Sequence, residues 1–454
     1  MKLFNLGFCL LGILVYEGIC MKVKYDGDQV LKIVPQTVKH AQYLQDLTEE
    51  WMLDLWRPGM VEQIQAGHEL HVRVPFSHLQ EIKEKLFQNM LPFEILISDV
   101  QELINRNAEI EPKKQKISLD NYDYTKYHPM DEIYDWMEQI QVKHSDLVTK
   151  HFLGSTYEMR PIYYFKIGWP SDKPKKVIFM DCGIHAREWI AVAYCQWFVK
   201  EILSSHSNDA LLTNVLRQVD FYVVPVFNID GYIYSWTTER LWRKNRTPYN
   251  NATCYGVDLN RNFNSAWCTV GASRDCNSYT FCGSAPASEP ETQAVVNLIE
   301  RIKSQILFYL TIHSYSQLIL LPYGYTTNPS ANHAEMTKVA ETAVAKMKEK
   351  HNIEYRVGSS SVILYDNSGS SCDWAGDIGI KFSYTFELRD NGTYGFELPP
   401  HLIKPTCEET MTAVISMLEY ANEEYLEASA KTVTFMWLNV LLSCAVCVYY
   451  ALLH

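Results

Sequence analysis

The sequence predicts an α/β body over residues 115–428, preceded by a small α+β unit over residues 21–114. Three observations carry that expectation. Near-continuous apolar runs at residues 177–180 and 221–226 alternate with helical stretches, the pattern of strands covered on both faces. Each run ends in turn residues, Asp181-Cys-Gly183 and Asn228-Ile-Asp-Gly231. The texture then changes at Glu109-Ile-Glu-Pro-Lys-Lys-Gln-Lys116, a polar, basic, proline-containing linker.

In the small unit, residues 30–34 read as a strand and residues 38–55 as a helix. Residues 70–74, Leu-His-Val-Arg-Val, alternate like a half-buried strand. Ser77 and Gln80 have the spacing of a capping box for a helix reaching about Asn89. Residues 93–97 are another strand candidate, which makes the order βαββαβ-like. The linker carries Lys113, Lys114 and Lys116, where a trypsin-like protease could cut, and Arg106 offers a second basic site.

Hydrophobic residues make up 47% of the 454-residue chain and charged residues 21%, which excludes a chain that is mainly disordered. The net charge is 41 − 53 = −12, which argues against a nucleic-acid partner, because phosphate binding needs a basic face. Lys2, the apolar run at 3–16 and Gly18-Ile-Cys20 read as a secretory signal over residues 1–20. Residues 433–453 are apolar apart from Thr434, Asn439 and Ser443, with no Lys/Arg cluster after them. The small triplet Ala428-Ser429-Ala430 precedes that run. Small residues before a terminal apolar tail are the signal for a GPI anchor, attached at Ala428 or Ser429 with residues 429–454 removed. The alternative is a single-span type I anchor. Either places the body on the extracellular face of the plasma membrane.

The chemistry-bearing residues follow the predicted strands. His185-Ala-Arg-Glu188 comes just after the apolar run at 177–180, and a His and a Glu three apart on one helical turn can hold a zinc ion from one side. The same spacing recurs at His78/Glu81 and His351/Glu354, inside amphipathic stretches where a solvated face explains it. Only His185 follows a strand and a glycine. A catalytic zinc needs a third ligand, and His313, ending the apolar run 308–312, is the candidate. Arg243 and the Asn260-Arg261 pair offer cationic groups that can grip a carboxylate. Glu387 lies in the apolar stretch Tyr384-Thr-Phe-Glu387, where a carboxylate demands a partner or a function. A base beside a metal-activated water meets that demand.

These blocks, in this order, resemble the pancreatic-type zinc metallocarboxypeptidases. The matching residues are His185-Ala-Arg-Glu-Trp189, Asn228-Ile-Asp-Gly-Tyr232, Arg240-Leu-Trp-Arg243, Asp258-Leu-Asn-Arg261, Ile312-His-Ser-Tyr315, Tyr365 with Ser368-Gly369 and Asp373-Trp374, and Phe386-Glu-Leu-Arg-Asp390. The terminal anchor and Pro405-Thr-Cys-Glu-Glu409 resemble the carboxypeptidase O branch of that family. The resemblance implies a mixed eight-stranded twisted sheet flanked by helices, preceded by an activation domain. It implies an enzyme that hydrolyses the last peptide bond of peptides and proteins with a free C-terminus, using one Zn2+ on His185, Glu188 and His313. Glu387 would be the general base and Arg243 the oxyanion stabiliser. Asp258 would back His185. Asn260, Arg261 and Tyr365 would hold the terminal carboxylate, and Arg187 would serve an outer subsite. A catalytically inactive surface binding module on the same fold is the alternative.

The resemblance also implies disulfides Cys182–Cys195, Cys254–Cys276 and Cys268–Cys282, with Cys372 and Cys407 unpaired. Asn245, Asn251 and Asn391 head glycosylation sequons, which need surface exposure. By alignment, Cys372 is the floor of the pocket for the terminal side chain, walled by Leu320, Gly324, Ser360, Leu364, Asn367, Ser370 and Thr385. The carboxypeptidase O branch implies an Arg at that floor and acidic substrates. A neutral thiol there implies small and medium neutral side chains instead.

Overall fold

A computed structural model describes residues 22–107 and 118–427. The secretory signal, the linker at 109–116 and the tail with Ala428 and Ser429 lie outside the described residues. Among those described, no helix is long and apolar enough to cross a membrane.

The small unit runs β1 (Gln29–Ile33), α1 (Val38–Glu50), β2 (Asp54–Arg57), β3 (Leu70–Val74), α2 (Phe76–Gln88), β4 (Phe93–Ile97) and α3 (Val100–Asn107). Its strands pair antiparallel in the order β2-β3-β1-β4. Two local expectations are corrected. The first helix stops at Glu50 and does not reach Leu55, because Asp54 and Leu55 pair with Arg73 and Val72 instead. The Ser77/Gln80 capping box is absent. The second helix already starts at Phe76 behind Pro75, with no side-chain cap, and Gln80 bonds forward to Glu84.

The two faces of this sheet differ in what covers them. Leu31, Leu55, Val72 and Val74 close a private core with Leu44 and Leu47 of α1 and Ile82 and Leu86 of α2. Val30, Trp56 and Ile97 cluster with Leu241, Tyr315 and Phe396 of the body. Residues 70–74 are therefore not half-solvated: His71 is fully buried and meets Tyr315. The alternation was sound, but its polar side faces protein.

The body contains α4 (Met130–Lys143), β5 (Val148–Ser155), β6 (Pro161–Ile167), β7 (Lys176–Cys182), α5 (Trp189–Ser205), α6 (Ala210–Gln218), β8 (Val219–Val224) and α7 (Ile229–Thr237). Two short strands, β9 (Pro248–Tyr249) and β10 (Cys254–Tyr255), precede α8 (Pro290–Ile302), β11 (Ile306–Ser314) and β12 (Leu318–Leu321). The chain closes with α9 (His333–His351), β13 (Arg356–Ser359), α10 (Ser360–Ile363), α11 (Ser371–Asp377), β14 (Phe382–Leu388) and α12 (Ile403–Ala421). Eight strands form one mixed sheet, ordered β13-β12-β14-β11-β7-β8-β6-β5. Strands β14, β11, β7 and β8 are mutually parallel, so their carboxyl ends share one edge. Apolar, almost wholly buried β7 and β11 and the largely buried α5 fit that arrangement, in which helices cover the sheet's faces.

Cys182 ends β7 and is bonded to Cys195 in α5, tethering the intervening turn at both ends. Cys254–Cys276 and Cys268–Cys282 are the other disulfides among the described residues, the pairing that the resemblance implies. Gly183 opens the tethered turn at φ +69°, where an added Cβ would lie 2.7 Å from Val192. Only glycine fits both the backbone angle and the space.

Candidate active site

Strand register assembles the site. In β11, His313 stands directly beside Glu387 of β14, and the preceding Ile312 stands beside Cys182, the last residue of β7. The chain leaving β7 turns at once, with Glu188 N–H donating to the His185 carbonyl at 3.3 Å before α5 begins at Trp189. His185 and Glu188 therefore lie on a turn before the helix, not on a helical turn as the spacing suggests. The close approach of the two side chains survives that change.

His185 Nδ1 is 2.7 Å from Glu188 Oε1, and His313 Nδ1 is 3.0 Å from Glu188 Oε2 and 3.1 Å from His185 Nδ1. All three residues are buried. They form the one group of three or more such side chains that could hold a metal ion among the described residues. The His78/Glu81 and His351/Glu354 pairs do not join any such group: His78 packs on Trp51, and His351 ends α9 with Glu354 beyond it, paired to Lys348.

Asp258 is the hub behind the cluster. Its Oδ1 meets His185 Nε2 at 3.1 Å, and its Oδ2 accepts from Arg243 Nε and Nη2 at 3.0 and 2.8 Å. Burial alone would raise the Asp258 carboxyl, but Arg243, His185 and Arg261 more than offset it and hold it well below the usual range. Burial and the Arg243 charge push His185 down, so its ring is neutral, as a ligand requires. Burial pushes Glu387 up to about 8, with His313 and Arg243 opposing and Glu188 adding. A carboxyl in that range can both take and return a proton near neutral pH.

One cavity brings together His185, Glu188, Arg243, Asn260, Arg261, Tyr365, Cys372 and Glu387. Asn260 Oδ1 accepts from the Ser371 N–H at 2.9 Å, and Arg261 donates to the carbonyls of Gly271 and Asn260 at 2.7 and 2.9 Å, which fixes its guanidinium plane. Leu320, Ser360, Leu364, Asn367, Ser370 and Thr385 line the same cavity. Gly324 stands behind Asn367, where a Cβ would come within 2.5 Å of its side-chain amide. The Cys372 thiol lies 3.3 Å from Ser383 Oγ, and burial pushes it up to about 12, so it is neutral. Cys407 is likewise free and buried.

Arg187 does not line this cavity. It is sealed between Asp54 of the small unit, 3.6 Å away, and the Phe396 ring. Trp56 and Arg57, which the sequence reading left out, enter the cavity from β2, and Trp56 packs on Tyr315 and Phe396. The Arg57-Pro58-Gly59 turn signal after Asp54-Leu-Trp56 marked a strand end there. Asn245 is corrected as a glycosylation candidate: it is fully buried and its amide donates to Glu289 at 2.8 Å. Asn251 and Asn391 are exposed.

A family model described as zinc carboxypeptidase matches residues 133–413, and one described as carboxypeptidase activation peptide matches residues 31–107. The chain belongs to the zinc carboxypeptidase family: it is a metallocarboxypeptidase with an activation peptide domain, and its cofactor is one zinc ion. It is 60% identical to human carboxypeptidase O over 343 residues, 75% of this chain and 92% of that protein. It is 42% identical to human mast cell carboxypeptidase A over 88% of this chain and 94% of that one. The crystal structure of thrombin activatable fibrinolysis inhibitor superposes with a TM-score of 0.83 at 40% identity, covering 88% of this chain and all of that one. A carboxypeptidase A from Helicoverpa armigera superposes at 0.78 with 25% identity, covering 89% and 100%.

The buried cluster suits zinc. Two imidazole Nδ1 atoms 3.1 Å apart and a carboxylate converge on one point, a nitrogen-and-oxygen donor set of the kind zinc takes. The Asp258→Asn variant keeps the shape of the hub but loses the charge that serves His185 and Arg243 together. Its zinc affinity should fall roughly 10–100-fold in a chelator competition. An unchanged affinity would show that His185 needs no carboxylate behind it.

Proposed function

We propose that zinc sits on His185 Nδ1, the Glu188 carboxylate and His313 Nδ1, and that the chain is the proenzyme of an exopeptidase removing the C-terminal residue of peptides and proteins. The observation that carries this is the meeting, in one cavity, of His185 and Glu188 with Glu387, Arg243 and Arg261, His313 joining the first two from β11 behind the cavity wall. When bound, zinc polarises the scissile carbonyl and acidifies a water molecule. Glu387 takes the proton from that water and returns it to the departing amine. Arg243, held by two hydrogen bonds to Asp258, aims its remaining N–H groups at the oxyanion as it develops. Asn260, Arg261 and Tyr365 hold the free carboxylate, which is what restricts cleavage to the last bond.

The terminal side chain then enters a pocket floored by Cys372. An acidic preference needs a cation at that floor, and the thiol supplies none. The adjacent Asp373 is buried and, being an acid, supplies no positive partner either. An unpaired charge buried there would cost several kcal/mol. Small and medium neutral residues fit best.

In the proenzyme, the activation domain (21–114) covers the catalytic domain (115–428). Asp54 takes Arg187, Arg57 reaches into the cavity, and Gln63 donates to the Asp366 carbonyl. A trypsin-like protease would release this cover by cutting at Lys113, Lys114 or Lys116; Arg106 lies in α3, paired with Glu102. The three disulfides support a secretory route, with glycans at Asn251 and Asn391 and a GPI anchor at Ala428 or Ser429.

Peptides differing only in their last residue, tested before and after trypsin, check this reading. Activity should appear on cleavage, vanish with chelator and favour terminal Ala or Leu over Glu, and Cys372→Arg should reverse that order. Strong wild-type preference for Glu, unchanged by the Arg, would show that another basic group reaches the pocket. A GPI-specific phospholipase should release the protein from cells; retention would favour the type I span.

A further inference from the structure

The ligand His185 has a carboxylate behind its outer nitrogen. The partner of His313 is less obvious, and it follows from strand geometry. Side chains two apart on a strand share a face, so Thr311 lies on the His313 side of β11. The parallel register sets Thr311 beside Asp181 of β7. Thr311 Oγ1 is 3.2 Å from His313 Nε2 and 2.8 Å from Asp181 Oδ1. All three side chains are essentially inaccessible to solvent.

Resting on the ligand assignment above, we propose that Thr311, backed by Asp181, is the positioning residue that orients His313 toward the metal. A carboxylate can only accept, so Asp181 takes the single hydroxyl hydrogen of Thr311. The Thr311 oxygen is then left to accept, and the partner facing it must be a protonated Nε2. With its hydrogen on Nε2, His313 keeps its lone pair on Nδ1, the atom that faces Glu188 and His185. The hydroxyl thus transmits the tautomer that Asp181 dictates, as Asp258 dictates it directly for His185.

Asp181 is fully buried on β7, between β8 and β11, where the Thr311 hydroxyl and the buried Tyr309 hydroxyl both face its carboxylate. Burying a carboxylate there is costly, and an apolar residue would serve the sheet alone better.

The test measures zinc dissociation by chelator competition in the full chain, alongside melting of the metal-free protein. Thr311→Val matches the shape and removes the hydroxyl; it should bind zinc roughly 10–100-fold more weakly. Thr311→Ser restores the hydroxyl and should stay within about threefold of wild type. A purely structural role predicts the reverse coupling, with melting lowered and zinc affinity kept. If the valine variant does not fold, Asp181→Ala probes the relay from its other end by removing the acceptor for the Thr311 hydroxyl, and should weaken zinc at least tenfold. Wild-type zinc affinity in a folded Thr311→Val, or in Asp181→Ala, overturns the proposal. His313→Ala separates the two levels: it should lose zinc outright, and zinc retained there would overturn the ligand assignment itself.

Discussion

The parallel register of β11 between β7 and β14 is the constraint on which the site depends. It sets His313 next to Glu387 on one side and brings the end of β7, and so the His185–Glu188 turn, to the other. A slip of one residue would turn His313 to the opposite face of the sheet. All nine residues of β11 are buried, and its polar ones are met in this register, with Thr311 Oγ1 on Asp181 and His313 Nδ1 facing Glu188. The Cys182–Cys195 bond then keeps the turn from drifting away from the strand it leaves.

The second element of the design is charge. Glu188 and Asp258 are buried close together with Arg243 and Arg261, and Glu387 stands beside them half-buried at the cavity wall. Isolated, each would be expensive to desolvate. Asp258 relates them by serving His185 with one oxygen and Arg243 with the other, so two sides of the cavity share a single anchor. The activation domain extends this logic outward: it covers the mouth with Trp56 against Tyr315 and Phe396, and with Asp54 against Arg187.

Much of this was legible in the sequence because the signals are local. Apolar runs located β7, β11 and β14, and His185, His313 and Glu387 were singled out because they broke or ended such runs. What the sequence hid depends on contacts between distant segments. Residues 54 and 55 read as the end of a helix until β3 is there to pair with them. Asn245 reads as a sequon until Glu289 and Glu291 close over it. The Ser77/Gln80 spacing failed because Pro75 starts the helix earlier, a competition that the pattern alone does not decide. His71 is polar yet buried, because the surface that covers it belongs to the other unit.

The central claim is that the donor set holds the metal while Glu387, a residue outside that set, moves the proton. Metal content and turnover of Glu387→Gln, measured on the same trypsin-activated preparation, test it most directly. The account predicts one zinc per chain, as in the wild type, with turnover lowered roughly 10²–10⁴-fold. Near-wild-type turnover in a zinc-loaded Glu387→Gln enzyme would contradict it.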